Sequence, residues 1–463
     1  MVPTVLLDER RQAKAEIILN DYEKNEVKNE RRLIVLLLLL TFLRGVVWAG
    51  IMPAYQSPDE PIHMGVIHVV GMELRMPATS EKLPKRVEES LKRSRWWHDW
   101  YVHAGWSPGY LTLGAAAHPP LYYYLMAPLY RIFYGAGDMT LVILRLFNVL
   151  FALGVTWFAY MTTRIMFPKD EFMKYAVALL VIFQPMNAFV GSAVNNDNLM
   201  IFFMAGVIYF IARLLTEGPK TSIGVWLGLF LGGGLLTKAS FAFMGPPVIL
   251  FVLVACLIKK QPAVRAFLFT FMTGAIAMIS GSWFYLFNYI KHGWFTRPFT
   301  APYGHTVAGN LFVQSVKPAY VIKIIETFWG NFGWLMIPLD KPIYILPAAS
   351  MAAAAAGFII AVAKIRLGKD KISARQIAFF LLLIVLSAVN YLSLAQLDVS
   401  TRGGAQGRHM LLTMVPLLIL FAYGIRAWVP EKMRVAGAAI VGVASFLLMS
   451  LSVWAYVTPF FYG

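Results

Sequence analysis

The chain has 463 residues, of which 59% are hydrophobic and 14% charged, with a formal net charge of +17. A soluble domain carries roughly 25% charged residues, so a water-soluble globular fold is excluded. The positive charge sits in short clusters between apolar runs, which excludes a basic nucleic-acid-binding module and points to anionic phospholipid head groups as its partner, while the single cysteine, Cys256, excludes an intramolecular disulfide.

Residues 1–32 mix both signs of charge, including Glu16, Asp21, Glu23, Glu26 and Glu30, and no small-residue cleavage site follows the first apolar run. They read as a cytoplasmic arm leading into an uncleaved signal-anchor. The first span is 33–51. Further spans are expected near 141–163, 175–193, 198–213, 223–237, 244–258, 266–290, 343–363, 376–395, 409–425 and 435–457, about eleven in all for a hydrocarbon core roughly 30 Å thick. Every second connection is basic: Arg164, Lys169 and Lys174; Arg213 and Lys220; Lys259, Lys260 and Arg265; Lys364, Arg366, Lys369, Lys371 and Arg375; Arg426, Lys432 and Arg434. Short cytoplasmic loops carry the Lys/Arg excess, so the N-terminus faces the cytoplasm and the C-terminus lies outside a cytoplasmic (inner) membrane. The expected fold is all-α, a polytopic transmembrane bundle over 33–463 with long outer connections at 52–140 and 291–342.

In the first outer connection, Leu83, Val87 and Leu91 recur at four-residue spacing opposite Lys85, Arg86, Lys92, Arg93 and Arg95, and Trp96 and Trp97 follow. This predicts a helix lying in the membrane interface with aromatics at head-group depth. The run 118–133 is apolar but holds Pro119, Pro120 and Pro128. Counting it as a span would reverse every later connection and break the charge alternation, so it reads as a re-entrant or juxtamembrane helix. A further helical stretch is expected over 321–328. Gly232, Gly233 and Gly234 predict close helix packing or a kink. No internal repeat is visible, so the inverted-repeat sign of many transporters is missing.

The most pointed chemistry is Ser57-Pro58-Asp59-Glu60-Pro61-Ile62-His63, just outside the first span. Two adjacent carboxylates beside lipid are expensive. Ser57 and Glu60 form a capping-box pattern, with Pro58 at the first helical position. That accounts for Glu60, which also stands as a candidate acid, and leaves Asp59 without a structural reason. On a helix Asp59 and His63 share one face, and His63 reads as a hydrogen-bonding orienter rather than a metal ligand. Asn195-Asn196-Asp197-Asn198 fits an N-cap, yet its place on the same side makes Asp197 the second candidate acid. The run 398–409 sets Arg402, Arg408 and His409 among Gly403, Gly404 and Gly407; glycine lets a backbone approach a ligand, and arginine suits forked phosphate binding, against a plain reading of interfacial snorkelling. His118 with two prolines and three tyrosines is a rigid lead-in to a helix or a substrate contact. Lys238 is a snorkelling lysine or a second phosphate contact.

Together these segments resemble the GT-C superfamily of membrane glycosyltransferases, most closely a bacterial multi-spanning family of unknown function. The matching elements are SPDEPIH (57–63), AHPPLYYYL (117–125), NNDN (195–198), LTKAS (236–240), TFWGNFGW (327–334) and GAQGRHMLL (404–412). The resemblance implies transfer of a sugar from a polyprenyl phosphate or pyrophosphate carrier at the outer membrane face, with Asp59 as catalytic carboxylate and Asp197 as the second-loop acid. The expected substrate-binding set is His63, His118, Lys238, Arg402, Arg408 and His409. With no large soluble domain after the last span, a glycan or lipid acceptor is expected rather than a peptide. Magnesium or manganese could join Asp59 and Asp197, although some branches of the superfamily work without metal. The competing readings are a transporter or flippase of lipid-linked glycans, which calls for charges deep within spans, where Arg44 and Arg145 are the few present, and a non-catalytic envelope assembly protein.

Overall fold

The computed structural model describes residues 28–94, 111–295, 310–368, 371–400 and 404–463. The arm 1–27, Arg95, Trp96, Trp97, Lys369, Arg402 and Gly403 therefore lie outside the described residues. In chain order the helices are α1 (Lys28–Ile51), α2 (Glu60–Glu73), α3 (Lys85–Arg93), α4 (Leu121–Ile132), α5 (Met139–Met166), α6 (Glu171–Phe183), α7 (Pro185–Val190), α8 (Asp197–Glu217) and α9 (Thr221–Leu235). They continue with α10 (Gly245–Ile258), α11 (Ala263–Gly281), α12 (Trp283–His292), α13 (Leu311–Val316), α14 (Pro318–Trp329), α15 (Lys341–Arg366), α16 (Ala374–Ser400), α17 (Met414–Arg426) and α18 (Arg434–Leu451). A two-residue hairpin pairs Asn331 with Pro338 and Phe332 with Ile337.

Among the described residues, nine helical segments are long and apolar enough to cross a membrane, and the chain is an integral membrane protein. The two other expected spans are shorter. The span near 223–237 is α9, 15 residues long. The span near 175–193 is divided into α6 and α7, because Gln184 precedes Pro185 and is driven to extended backbone; its side chain then caps α7 through the Asn187 N–H. The basic connections gather at one end of the bundle, where Glu30 pairs with Arg164, Asp170 with Arg426, and Lys259 donates to the Thr216 carbonyl at 2.9 Å. The long connections lie at the other end.

α9 meets α11 through its glycines: a Cβ on Gly232 would lie 2.9 Å from the Ala277 carbonyl oxygen, and one on Gly281 would lie 2.8 Å from the Gly232 Cα. The packing reading of the triple glycine holds. The segment 118–133 forms α4, whose 12 residues span about 18 Å and fall short of a bilayer core of about 30 Å. α4 packs on α2. One expectation for this region is corrected: Leu83, Val87 and Leu91 turn into a second core built by the first outer connection, in which Tyr122 and Tyr123 are fully buried. The apolar stripe of α3 thus faces protein, where Leu111 and Leu113 cover it, rather than lipid.

The predicted capping box also fails. α2 starts at Glu60, after Asp59 in a left-handed backbone conformation with no side-chain cap. Glu60 instead meets Arg145 of α5 in a two-pronged ion pair, Nε to Oε1 at 2.8 Å and Nη2 to Oε2 at 2.6 Å, with both side chains enclosed (0% and 2% exposed). Arg145 also donates to the carbonyls of Ala49, Met52 and Pro53, and Glu60 accepts from the backbone N–H of Tyr55 and Val194. Removing one partner of such a pair leaves a buried, uncompensated charge. Glu60→Gln is expected to lower stability by about 3–5 kcal/mol, the usual loss for a broken buried pair, as measured by reversible unfolding in mixed micelles; an unchanged midpoint would refute this role for the pair.

Candidate active site

Four residue groups, far apart in sequence, converge beyond the end of α1. Asp59 is held by its backbone: its carbonyl accepts from the Ile62 and His63 amides at 3.0 Å, and the Pro58 carbonyl accepts from Asn195 Nδ2 at 3.2 Å. Its φ of 61° is a conformation that Asp and Asn tolerate better than most residues. Oδ2 accepts from Arg408 Nη2 at 2.9 Å, and 40% of the Asp59 side chain stays uncovered. Burial pushes this carboxyl upward, but the charges of Arg408 and Lys238 outweigh it and hold the pKa below the ordinary carboxylate value.

His63 stands one helical turn on. Its Nδ1 lies 3.0 Å from the Tyr123 hydroxyl, which itself donates to the Ala115 carbonyl at 2.9 Å. With that hydroxyl hydrogen used, the network assigns the proton to His63 Nδ1 and leaves Nε2 as an acceptor. Burial drives the His63 pKa down to about 4 and that of His118, stacked at 6.5 Å between ring centres, down to about 3. Both rings are neutral at physiological pH.

The NNDN run divides its labour. Asn195 ties to Pro58, Asn196 Nδ2 donates to the Thr237 carbonyl at 3.2 Å, and Asn198 Nδ2 reaches Asn148 Oδ1 of α5 at 3.1 Å. The N-cap of α8 is Asn196, which makes no side-chain cap, so the cap expectation is not met; one residue earlier, Asn195 Oδ1 accepts from the Asp197 amide at 2.9 Å. The Asp197 carboxylate is thereby spared and pairs with Lys238. Lys238 is thus an ion-pair partner, not a snorkelling lysine.

Arg408 lies on a 3-10 segment, Gly407–Thr413. A Cβ on Gly407 would fall 2.1 Å from the Ile324 carbonyl oxygen, so only glycine lets this loop press on the α14 backbone. Its amide donates to Thr327 Oγ1 at 2.6 Å. Asp398 accepts from Lys323, from Gln314 and from the Ala405 amide, tying the same loop to α13 and α14. Arg408 is buried, and its Nε and Nη1 have no hydrogen-bond partner among the described residues. His409 turns Nδ1 back to the Gln406 amide as a local cap. Beside this segment runs an apolar cavity of about 670 Å³, bounded by Ile324, Phe328, Met351, Phe358, Tyr391 and Met410.

The two ion pairs, Asp59–Arg408 and Asp197–Lys238, lie close enough for each carboxylate to respond to both cations, and His63 and His118 lie within reach of both carboxylates. Glu60 is adjacent in sequence but faces away, with both oxygens occupied, so its reading as a catalytic acid is corrected to a positioning one. Thr327, Asp398 and Tyr123 lie within the runs TFWGNFGW, 398–409 and AHPPLYYYL, but nothing in those runs marks their individual roles, since a single hydrogen bond to a distant loop leaves no periodic signal. The carboxylates that would hold a divalent metal are Asp59 and Asp197. Each carboxylate already faces a fixed cation, and among the described residues no three His, Cys, Asp or Glu side chains are grouped to hold an ion.

Residues 117–285 match the family described as dolichyl-phosphate-mannose-protein mannosyltransferase. No curated protein matches the chain. Among solved structures, ArnT from Cupriavidus metallidurans bound to undecaprenyl phosphate is 14% identical with a TM-score of 0.53, the alignment covering 92% of this chain and 73% of ArnT. The oligosaccharyltransferase of Archaeoglobus fulgidus is 12% identical with a TM-score of 0.50, covering 91% of this chain and 56% of that one. At such identities the likeness is one of fold: the chain has the GT-C fold of membrane glycosyltransferases, as its motifs suggested.

Thr327→Val removes the hydroxyl that holds Gly407. Amide hydrogen exchange over 404–410 is expected to rise about tenfold, the equivalent of one lost hydrogen bond, with exchange in α8 unchanged; equal exchange in both proteins would refute the anchor.

Proposed function

We propose that this protein is a glycosyltransferase that moves a sugar from a polyprenyl-phosphate carrier to a glycan or lipid acceptor at the outer face of the cytoplasmic membrane. The observation that carries this reading is the Asp59–Arg408 pair: one guanidinium holds the candidate base and keeps two buried N–H donors unmet, on the same short segment as Met410, which lines the apolar groove. A phosphate with a hydrocarbon tail satisfies both halves of that arrangement. The complex of ArnT with undecaprenyl phosphate supports a carrier of this class.

In the proposed reaction the acceptor hydroxyl oxygen attacks the anomeric carbon as the bond from that carbon to the phosphate oxygen breaks. The hydroxyl proton passes to Asp59, and the electron pair of the broken bond leaves with the phosphate, whose charge Arg408 and Lys238 stabilise. Arg402, outside the described residues, is proposed to share that phosphate. His63 Nε2 and His118, kept neutral, accept hydrogen bonds from sugar hydroxyls. Donor phosphate competes with Asp59 for Arg408, so its arrival frees the carboxylate and raises its basicity.

Translocation is supported less well. A transporter uses intramembrane charges along its path, whereas Arg145 is committed to Glu60 and three carbonyls, and Arg44 donates to the Ile182 carbonyl at 2.9 Å. Incubation of the purified protein with radiolabelled polyprenyl-phosphate sugars and membrane lipid extract separates the readings into turnover, transfer across liposomes, or neither.

Asp59→Asn keeps a residue that accepts the left-handed backbone but removes the base. Transfer is expected to fall by about 10² to 10⁴, the usual worth of a general base, with membrane insertion and thermal midpoint preserved; undiminished turnover would defeat the proposal. The depressed pKa of Asp59 keeps it ionised, and that of His63 keeps it neutral, as pH falls through the ordinary histidine range. The kcat/KM profile is therefore expected to stay flat from pH 7 to about 5 and to drop near the His63 value of about 4. A limb centred on the ordinary histidine pKa would contradict it.

A further inference from the structure

A second large apolar cavity, of about 800 Å³, opens sideways between α9, α10, α11 and α12. Its walls are Leu235, Phe241, Ile249, Phe271, Gly274 and Met278 among others. The hollow is made by small residues: a Cβ on Gly274 would meet nothing nearer than 3.8 Å, and one on Gly245 would meet nothing within 4 Å. Larger side chains at those sites would fill the space at no steric cost, and the wall offers almost no polar surface. The volume lies within the roughly 300–1,000 Å³ typical of ligand sites.

The position of this cavity gives it meaning. Leu235 and Phe241 bound it, and between them in the chain stands Lys238, paired with Asp197 inside the polar cluster. The Thr237 carbonyl is fixed by Asn196 and the Leu236 carbonyl by the Leu121 amide at 3.0 Å, so the short stretch from wall to cation is rigid. The first cavity is lined by Met410, two residues from Arg408 on the same 3-10 segment. Each hydrocarbon groove thus has wall residues within three positions of a cation of the cluster: Met410 beside Arg408 in the first, Leu235 and Phe241 either side of Lys238 in the second.

A polyprenyl-phosphate donor fills one groove. A peptide acceptor, as in the protein mannosyltransferases that the matching family describes, needs no hydrocarbon groove at all. We infer that the acceptor is a sugar or polyol carried on a membrane lipid, with its hydrocarbon in the α9–α12 groove and its hydroxyl head between Lys238, Asp197 and Asp59. This rests on the donor reading above and assigns the second substrate. The Asp197–Lys238 pair suits a neutral, hydroxyl-rich head, because the carboxylate accepts from hydroxyls and the ammonium donates to them.

The test uses the full chain in phosphatidylglycerol/phosphatidylethanolamine nanodiscs and three diazirine-bearing photoprobes: a set of hexadecyl glycosides (glucoside, galactoside, mannoside), a polyprenyl phosphate, and phosphatidylcholine. At least one glycoside is expected to label α11 between Phe271 and Met278 well above phosphatidylcholine, while polyprenyl phosphate labels α14–α17. Gly274→Phe should cut the glycoside label about tenfold, since losing the burial of about two methylenes costs that much affinity, and should leave polyprenyl-phosphate labelling and the thermal midpoint unchanged. Ala355→Trp, in the other groove, should do the reverse. Equal labelling of α11 by phosphatidylcholine and every glycoside, or polyprenyl phosphate entering the α9–α12 groove, would overturn the inference. Absence of polyprenyl phosphate from both grooves would overturn the donor reading instead.

Discussion

The site depends on one buried ion pair. Glu60 and Arg145 are sealed from solvent and joined by two hydrogen bonds, and their remaining donors and acceptors reach the end of α1, the turn at 52–55 and the 194 loop. A buried pair of charges is tolerable when it is this fully satisfied. Its consequence is felt one residue upstream. With Glu60 pulled inward, Asp59 is forced into a left-handed conformation and turned out toward Arg408. Local backbone strain of order 1–3 kcal/mol persists only where surrounding contacts over-determine it, and here the surrounding contacts are that ion pair and the Asn195 bond to Pro58.

Charge balance governs what the cluster can accept. Two carboxylates face two cations, and the nearby histidines His63 and His118 are held neutral by burial. Such a cluster carries no net charge to attract a free anion over a distance, so an incoming phosphate gains by exchange, taking a guanidinium edge from a carboxylate.

The sequence was most legible where a signal is local. The alternation of apolar runs and basic connections marked where the long helices lie, and α4, at 12 residues, is too short to be a span. SPDEPIH, NNDN and GAQGRH were visible as polar runs beside apolar ones, and the structure brings Asp59, Asp197 and Arg408 into one cluster. What failed were two assignments that turned on a distant partner. The capping box was plausible because Ser57 and Glu60 have the right spacing, yet Arg145, 85 residues away, outcompetes a local amide for a carboxylate. The stripe on α3 has the period of an interfacial helix, and periodicity alone does not tell lipid from the apolar surface of Leu111 and Leu113. Thr327 is silent in sequence because its role is a single bond to Gly407.

The run 327–334 is the element that touches both halves of the site. At its start Thr327 holds the loop of Arg408, and at its end Trp334 Nε1 donates to the Tyr55 carbonyl at 3.1 Å, four residues before Asp59. Between them Phe332 is buried against Trp48 of α1 at 5.3 Å and Phe189 of α7 at 5.6 Å between ring centres, which fixes the hairpin to the bundle. The same helix, α14, gives Ile324 and Phe328 to the wall of the Arg408 groove. The segment 318–334 therefore joins the wall of that groove to the loop that carries Arg408 and to the turn that leads into Asp59.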